Sequence, residues 1–196
     1  MLNKLLLSLA MAFSLAGCNA TLTKKDGTSE VVPDLRKVEA DGAALYAAMQ
    51  SNDATDTPTS READLLEMAS GKLLCEGEYK AVRVDDSKAQ MEHIYLILQP
   101  EKSKGIQFGR HVRFDFRLGT NDLISITPSS KSCLLVPIEG SSIEEPSIEA
   151  AYITHLLSNE PTDFHVYLSL YHQKSIYVST SGALWKIENG KISKSE

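Results

Sequence analysis

The side chains capable of chemistry in this chain are few and scattered. Five histidines occur, at His93, His111, His155, His165 and His172. None stands in a His-x-His or His-x-x-x-His spacing that would aim two ring nitrogens at one ion, so no metal site is expected. Asp85-Asp86 and Glu144-Glu145 are adjacent carboxylates, but neighbours on a strand point apart, and they suit turns and linkers better than a glycosidase pair. No Gly-x-Ser-x-Gly elbow and no Ser-x-x-Lys pair occurs, which removes two signatures of an activated serine. Ser70-Gly71-Lys72 lacks the glycine-rich loop that wraps phosphates. No catalytic residue and no cofactor is therefore assigned.

Two patches suit recognition instead. The first is basic and comprises Lys102, Lys104, Arg110, Arg113 and Arg117, interrupted by Glu101 and Asp115. On a strand, His111, Arg113 and Arg117 share a face, and guanidinium forks suit carboxylates and phosphates. The competing possibility is a solvated strand face balanced by the acidic stretch from Glu139 to Glu149. The second patch is aromatic. If Phe164, Val166, Leu168 and Leu170 face a core from one strand, then His165, Tyr167, Ser169 and Tyr171 face the other way, and Tyr177 joins them across the ladder. Tyrosines among polar neighbours favour recognition because the ring buries area while its hydroxyl keeps a hydrogen bond. The alternative is that these rings pack beneath a helix or only support cross-strand pairing. Arg113, Arg117, His165, Tyr167, Tyr171 and Tyr177 thus form the candidate partner surface.

The elements that must position these residues follow from hydrophobic period. Leu35, Val38, Ala43, Leu45 and Met49 give a helical stripe from Asp34 to Gln50, weakened by Gly42. Thr59-Ser60-Arg61-Glu62 is a capping box, and Gly71 suits the end of the short helix that follows. The period then changes to two. Strands are predicted over Leu73–Val84, Ile94–Leu98, Ile106–Leu118, Leu123–Thr127 and Cys133–Ile138. Pro146 opens a predicted helix to Ser158. Further strands are predicted over Phe164–Leu170 and Ile176–Val178. Ser181-Gly182 and Asn189-Gly190 signal hairpin turns, and Trp185, alternating with Ala183 and Ile187, belongs to the core. The sum is an α+β fold with a mainly antiparallel β-sheet, two N-terminal helices and one inserted helix.

Composition narrows the class. The chain has 196 residues, with 20 Lys+Arg against 26 Asp+Glu and a formal net charge of −6. That balance argues against nucleic acid as a partner. At 42% hydrophobic residues there is enough to bury a core, which argues against wholesale disorder.

The N-terminus carries an address. Lys4 is followed by an uncharged, almost wholly apolar run from Leu5 to Ala16, shorter than the ~20 residues of a permanent membrane span. This matches the core of a secretory signal, with small residues at its end. Leu15-Ala16-Gly17-Cys18 resembles the lipobox of bacterial lipoproteins. The resemblance implies a signal peptide over 1–17 and an acylated Cys18 (palmitate among the chains), with 18–33 as a flexible tether to a single domain over 34–196. Several acyl chains give stable attachment where one is marginal. Asn19, in place of the Asp that favours inner-membrane retention in enterobacterial lipoproteins, leans towards the outer membrane and its periplasmic face. With Cys18 lipidated, Cys75 and Cys133 remain as a pair, and an oxidising compartment makes a disulfide the expectation. A redox or metal pair is the alternative, without a Cys-x-x-Cys arrangement to support it.

Three functional classes then stand. The first is a lipid-anchored, non-catalytic binding or scaffold module, partnered by the membrane through its acyl chains and by an envelope protein. The alternative is a protective inhibitor or immunity-type lipoprotein that blocks a toxin or envelope hydrolase. An envelope enzyme is third, with no nucleophile, base or metal set to name.

Overall fold

A computed structural model describes residues 34–51, 59–99, 105–137 and 149–195. Residues 1–33, with the predicted signal peptide, Cys18, Asn19 and the predicted tether, lie outside the described residues. No described helix is long and apolar enough to cross a membrane.

Helix α1 runs Leu35–Gln50, and the Asp34 carboxylate accepts from the Arg36 and Lys37 amides at its start. Gly42, a weak point for an isolated helix, is what lets α1 approach its neighbour. A Cβ there would lie 2.5 Å from Val166 Cβ and 2.7 Å from the Asp163 carbonyl. Helix α2, Ser60–Ala69, begins at the predicted capping box: Thr59 N–H donates to Glu62 and Glu62 N–H to Thr59 Oγ1.

Strands β1 (Tyr79–Asp86), β2 (Met91–Leu98), β4 (Val112–Arg117) and β5 (Leu123–Pro128) form an antiparallel sheet in the order β1-β2-β4-β5. The intervening β3 (Ile106–Gln107) pairs with β6 (Leu135–Val136). The predicted strand over 106–118 is thus broken in two. Arg110 takes a positive φ of 56° at the break, and Gly109 faces the 132–134 backbone so closely that a Cβ would lie 2.1 Å from Leu134 N.

Strand β2 is packed on both sides. Ile94 and Leu96 join Val112, Phe114 and Phe116 beneath Leu65 and Ala69 of α2. Tyr95 and Ile97 point the other way, into a larger core with Leu45 of α1.

That larger core continues into a second sheet. Strands β7 (Ala150–Thr154), β8 (Ser175–Ser179), β9 (Leu184–Glu188) and β10 (Lys191–Lys194) lie in the order β10-β9-β8-β7. Strands β7 and β8 are parallel, joined across helix α3 (Asp163–His172), while the other pairs are antiparallel. The predicted Asn189-Gly190 turn closes the β9–β10 hairpin, with φ of 50° and 75° at the two residues.

Two predicted elements exchange places. The segment 164–170, predicted as a strand, is α3, and the Ala150–Thr154 part of the predicted 146–158 helix is β7. The strand prediction followed alternating Phe164, Val166, Leu168 and Leu170. His165, Tyr167 and Ser169 between them are buried as well, so the helix is enclosed nearly all round and shows no polar face. Parallel pairing of β7 with β8 demands a crossover of this kind. In β7, Ala151 and Ile153 face the core and Tyr152 and Thr154 face out. The overall class is α+β with mainly antiparallel sheets.

Cys75 and Cys133 are disulfide-bonded, with Cα atoms 5.8 Å apart. The bond ties the connection after α2 to the loop before β6.

Candidate functional site

The six residues of the candidate partner surface do not share one surface. Tyr167 is only 2% exposed, stacked on half-buried Tyr171 with centroids 5.5 Å apart, and His165 is buried beside it on α3. Their outward placement is corrected by the helix: residues two apart on a helix do not segregate to opposite faces as they do on a strand. Tyr177 lies on β8, whose Ile176 and Val178 turn to the core. Its own ring points to the opposite face and stacks on Tyr152, at 6.3 Å and 14° between planes. Arg117 is 65% exposed, 3.7 Å from Asp122. Arg113 is largely withdrawn into the protein.

Arg113 belongs to a buried polar chain. Its Nη1 lies 2.6 Å from Asp163 Oδ2 and its Nε 2.8 Å from Asp115 Oδ1. Tyr95 donates to the same Asp163 oxygen at 2.8 Å. Asp115 also receives His93 Nδ1 at 2.6 Å, and the Ser125 hydroxyl donates to its second oxygen. Burial opposes charge on Arg113, but Asp163 and Asp115 outweigh it and raise the guanidinium above its ordinary pKa. Burial likewise pushes Asp115 up, and the bonds from His93, Ser125 and Arg113 more than reverse this, leaving it lowered.

The order of groups matters chemically. A serine nucleophile needs imidazole between hydroxyl and carboxylate, so that the imidazole takes the hydroxyl proton. Here the carboxylate stands between them, and the Ser125 hydroxyl donates its hydrogen bond to Asp115. The chain ties β2, β4, β5 and the start of α3 together. The buried Nε2 of His93 has no hydrogen-bond partner among the described residues.

A further histidine, His111, is held neutral by burial. His111 Nδ1 accepts from Leu98 N–H at 3.2 Å, which leaves Nε2 to donate to the Gln107 carbonyl at 2.7 Å. Burial lowers this imidazole to about 4. A crevice bordered by Gln107, His111, Tyr167 and Tyr171 has room for roughly one water. Among the described residues no group of three His, Cys, Asp or Glu side chains converges to hold a metal ion.

The exposed feature is β5. Every residue from Leu123 to Ile126 is exposed, with Leu123 at 42%, Ile124 at 53% and Ile126 at 39%. The strand carries no charge. It ends the sheet, and among the described residues nothing pairs with its outer edge. Ser129 N–H donates to the His111 carbonyl, which places the hydrogen-bonded pairs at Arg113/Thr127 and Asp115/Ser125. The amide and carbonyl of Ile126 therefore face outward. Ile124 sits at a bulge, where the register shifts so that Phe116 opposes Leu123. The sequence reading identified this strand but not its place at an edge. The signal was present: Leu123, Ile124 and Ile126 put apolar groups on both faces, where a half-buried strand would alternate.

The fold is thus α+β, with two four-stranded sheets and the short β3–β6 pair, and α1 and α3 in the core that the two larger sheets share. Comparison of the chain with protein families, curated proteins and solved structures returns no match.

Proposed function

We propose that this chain is a lipid-anchored protein of the bacterial envelope that acts as a non-catalytic binding module, taking an extended segment of an envelope protein against β5. The lipobox supports the anchor, and the Cys75–Cys133 bond is in keeping with an oxidising compartment. The observation that carries the binding role is the edge itself, an uncharged strand with outward backbone groups and three exposed aliphatic side chains. Soluble proteins ordinarily blunt such an edge with lysines, cover it or shorten it. An added strand would gain affinity from main-chain bonds and specificity from alternate side chains. Pro128 offers no N–H, so pairing ends there and the added strand is short.

The test places a photo-crosslinking residue in turn at each position from Leu123 to Thr127 and at Tyr177, in cells. One envelope protein captured with a period-two pattern along β5, and not from Tyr177, is the expected result. Uniform capture, or capture from Tyr177 alone, overturns the edge. A partner that is toxic when this protein is deleted would identify the module as a protective inhibitor, and a structural envelope complex as a scaffold. Attachment is tested separately: Cys18→Ser is expected to lose fatty-acid labelling and membrane pelleting, and retention of both would refute the anchor.

A further inference from the structure

The first turn of α3 is closed by an unusual partner. In a capping box, the third helical residue reaches back to accept the N-cap amide, and that residue is ordinarily Glu or Gln. Here it is His165, whose Nδ1 accepts from the Thr162 N–H at 2.9 Å. A carboxylate or amide oxygen keeps its lone pair at any pH near neutral. An imidazole nitrogen keeps it only while unprotonated.

The surroundings leave no place for a charge on His165. Its ring meets that of His155 edge to face at 4.9 Å, and Phe108 and His111 lie beyond. His155, at the end of β7, gives its Nε2 proton to Ser158, because the Ser158 hydroxyl is itself donated to the Glu160 carbonyl. The nearest carboxylate on the same turn is Asp163, and its oxygens are engaged. Oδ2 takes Arg113 and Tyr95, and Oδ1 takes the Phe164 N–H. From α1, Asp41 is paired with Lys37 at 2.9 Å. Protonated His165 would present an Nδ1–H to the Thr162 N–H, two donors face to face, with only the neutral Thr162 hydroxyl, 3.2 Å away, to accept it and, among the described residues, no carboxylate free to balance the charge.

We infer that the N-terminus of α3 is an acid-released latch, closed while His165 Nδ1 accepts the Thr162 amide and opened when that nitrogen takes a proton. Opening frees the turn that carries Asp163 and Phe164, and so unhooks Asp163 from Arg113 and Tyr95 on the first sheet. On the envelope placement proposed above, such a latch would have external acid to sense. The direction follows from linkage. Burial, with His155 and His111 nearby, holds the closed-state imidazole down at about 3, against an ordinary value near 6.5. Above pH ~6.5 neither state binds the proton, so pH has no effect. Below it the open state gains a proton that the closed state refuses, and the open population rises about tenfold per pH unit until roughly pH 3.

The experiment measures amide hydrogen exchange in the full-length chain in detergent micelles between pH 7 and 4.5, corrected for intrinsic exchange. Protection at Thr162, His165 and Val166 is expected to fall about tenfold per unit below pH ~6.5, while protection in β8 and β9 changes less. His165→Gln restores an ordinary capping-box acceptor and is expected to flatten that dependence in the first turn. His111→Gln, which leaves the Thr162 bond intact, is expected to retain it. An unchanged slope in His165→Gln overturns the latch. Nitrogen NMR of the wild-type ring gives a reading independent of any variant's folding: an unprotonated Nδ1 at pH 7 is expected, and a protonated one refutes the proposal.

Discussion

Strands β4 and β5 are neighbours in one sheet and invert the usual rule in opposite senses. Strand β4 carries Arg113 and Asp115 inward, tied to His93, Tyr95 and Asp163. Strand β5 carries Leu123, Ile124 and Ile126 outward. Exposed single aliphatic residues are common, whereas buried charges and clustered exposed aliphatics on an edge each require a reason. The buried charges have one inside the molecule, since every carboxylate oxygen of Asp115 and Asp163 has a donor. The exposed aliphatics have none inside it. A feature that is explained internally reads as structure, and one that is not reads as recognition.

The hardest break in this comparison comes from the buried side. Arg113→Met leaves Asp115 and Asp163 without their cation and is expected to cost about 4 kcal/mol, since removing one partner of a buried ion pair strands the other. Urea unfolding measures it, and a loss below ~1 kcal/mol would show that the chain is solvated in solution.

Acid comes next. His111 stays neutral in the fold down to about pH 4, while the unfolded chain protonates it near 6.5, so the unfolded state binds more protons in between. Stability is expected to be level above ~6.5 and to fall by about 3 kcal/mol from this residue as pH drops to ~4. His111→Gln should remove that share of the slope in melting curves. Asp115 acts in the same direction at lower pH. Its folded pKa is depressed, so its contribution is present above ~4 and is lost as pH falls through the folded value.

On the exposed side the balance of effects reverses. Ile124→Lys is expected to change stability by no more than ~0.5 kcal/mol, the usual range for surface substitutions. Capture of a strand partner should fall at least about tenfold, as expected for losing a contact worth about 1.4 kcal/mol or more. The smallest effect is expected at Tyr177→Ala, where one stacked pair contributes about 1 kcal/mol and partner capture is unchanged. If Tyr177→Ala abolishes capture while Ile124→Lys does not, recognition belongs to the second sheet.

Local signals survived into the structure where local physics decides them. The Thr59 capping box, the Asn189-Gly190 turn and the Val112, Phe114, Phe116 alternation each rest on contacts within a few residues or on one buried face. The α3 segment failed because its environment lies elsewhere in the chain. A helix covered by α1 on one side and two sheets on others shows no polar stripe, and its alternating aliphatics then mimic a strand. The polar chain was hidden for the same reason. Arg113 and Asp115 look like the wet face of a strand until Asp163, 50 residues on, arrives to meet Arg113. Edge position is likewise a property of the sheet's order, which no single strand encodes.

The Cys75–Cys133 bond divides the chain mechanically as well as chemically. It closes a ring over β1 to β5 with a sequence separation of 58, while α1, α2 and the whole second sheet lie outside. A pull between Asp34 and Ser195 would travel across the sulfurs and bypass the ring. At about 3.5 Å per residue, roughly 200 Å of contour length would stay coiled until the bond is reduced. The exposed edge β5 rides inside that ring. Tension between those two ends would load α1 and the second sheet and leave β5 outside its path.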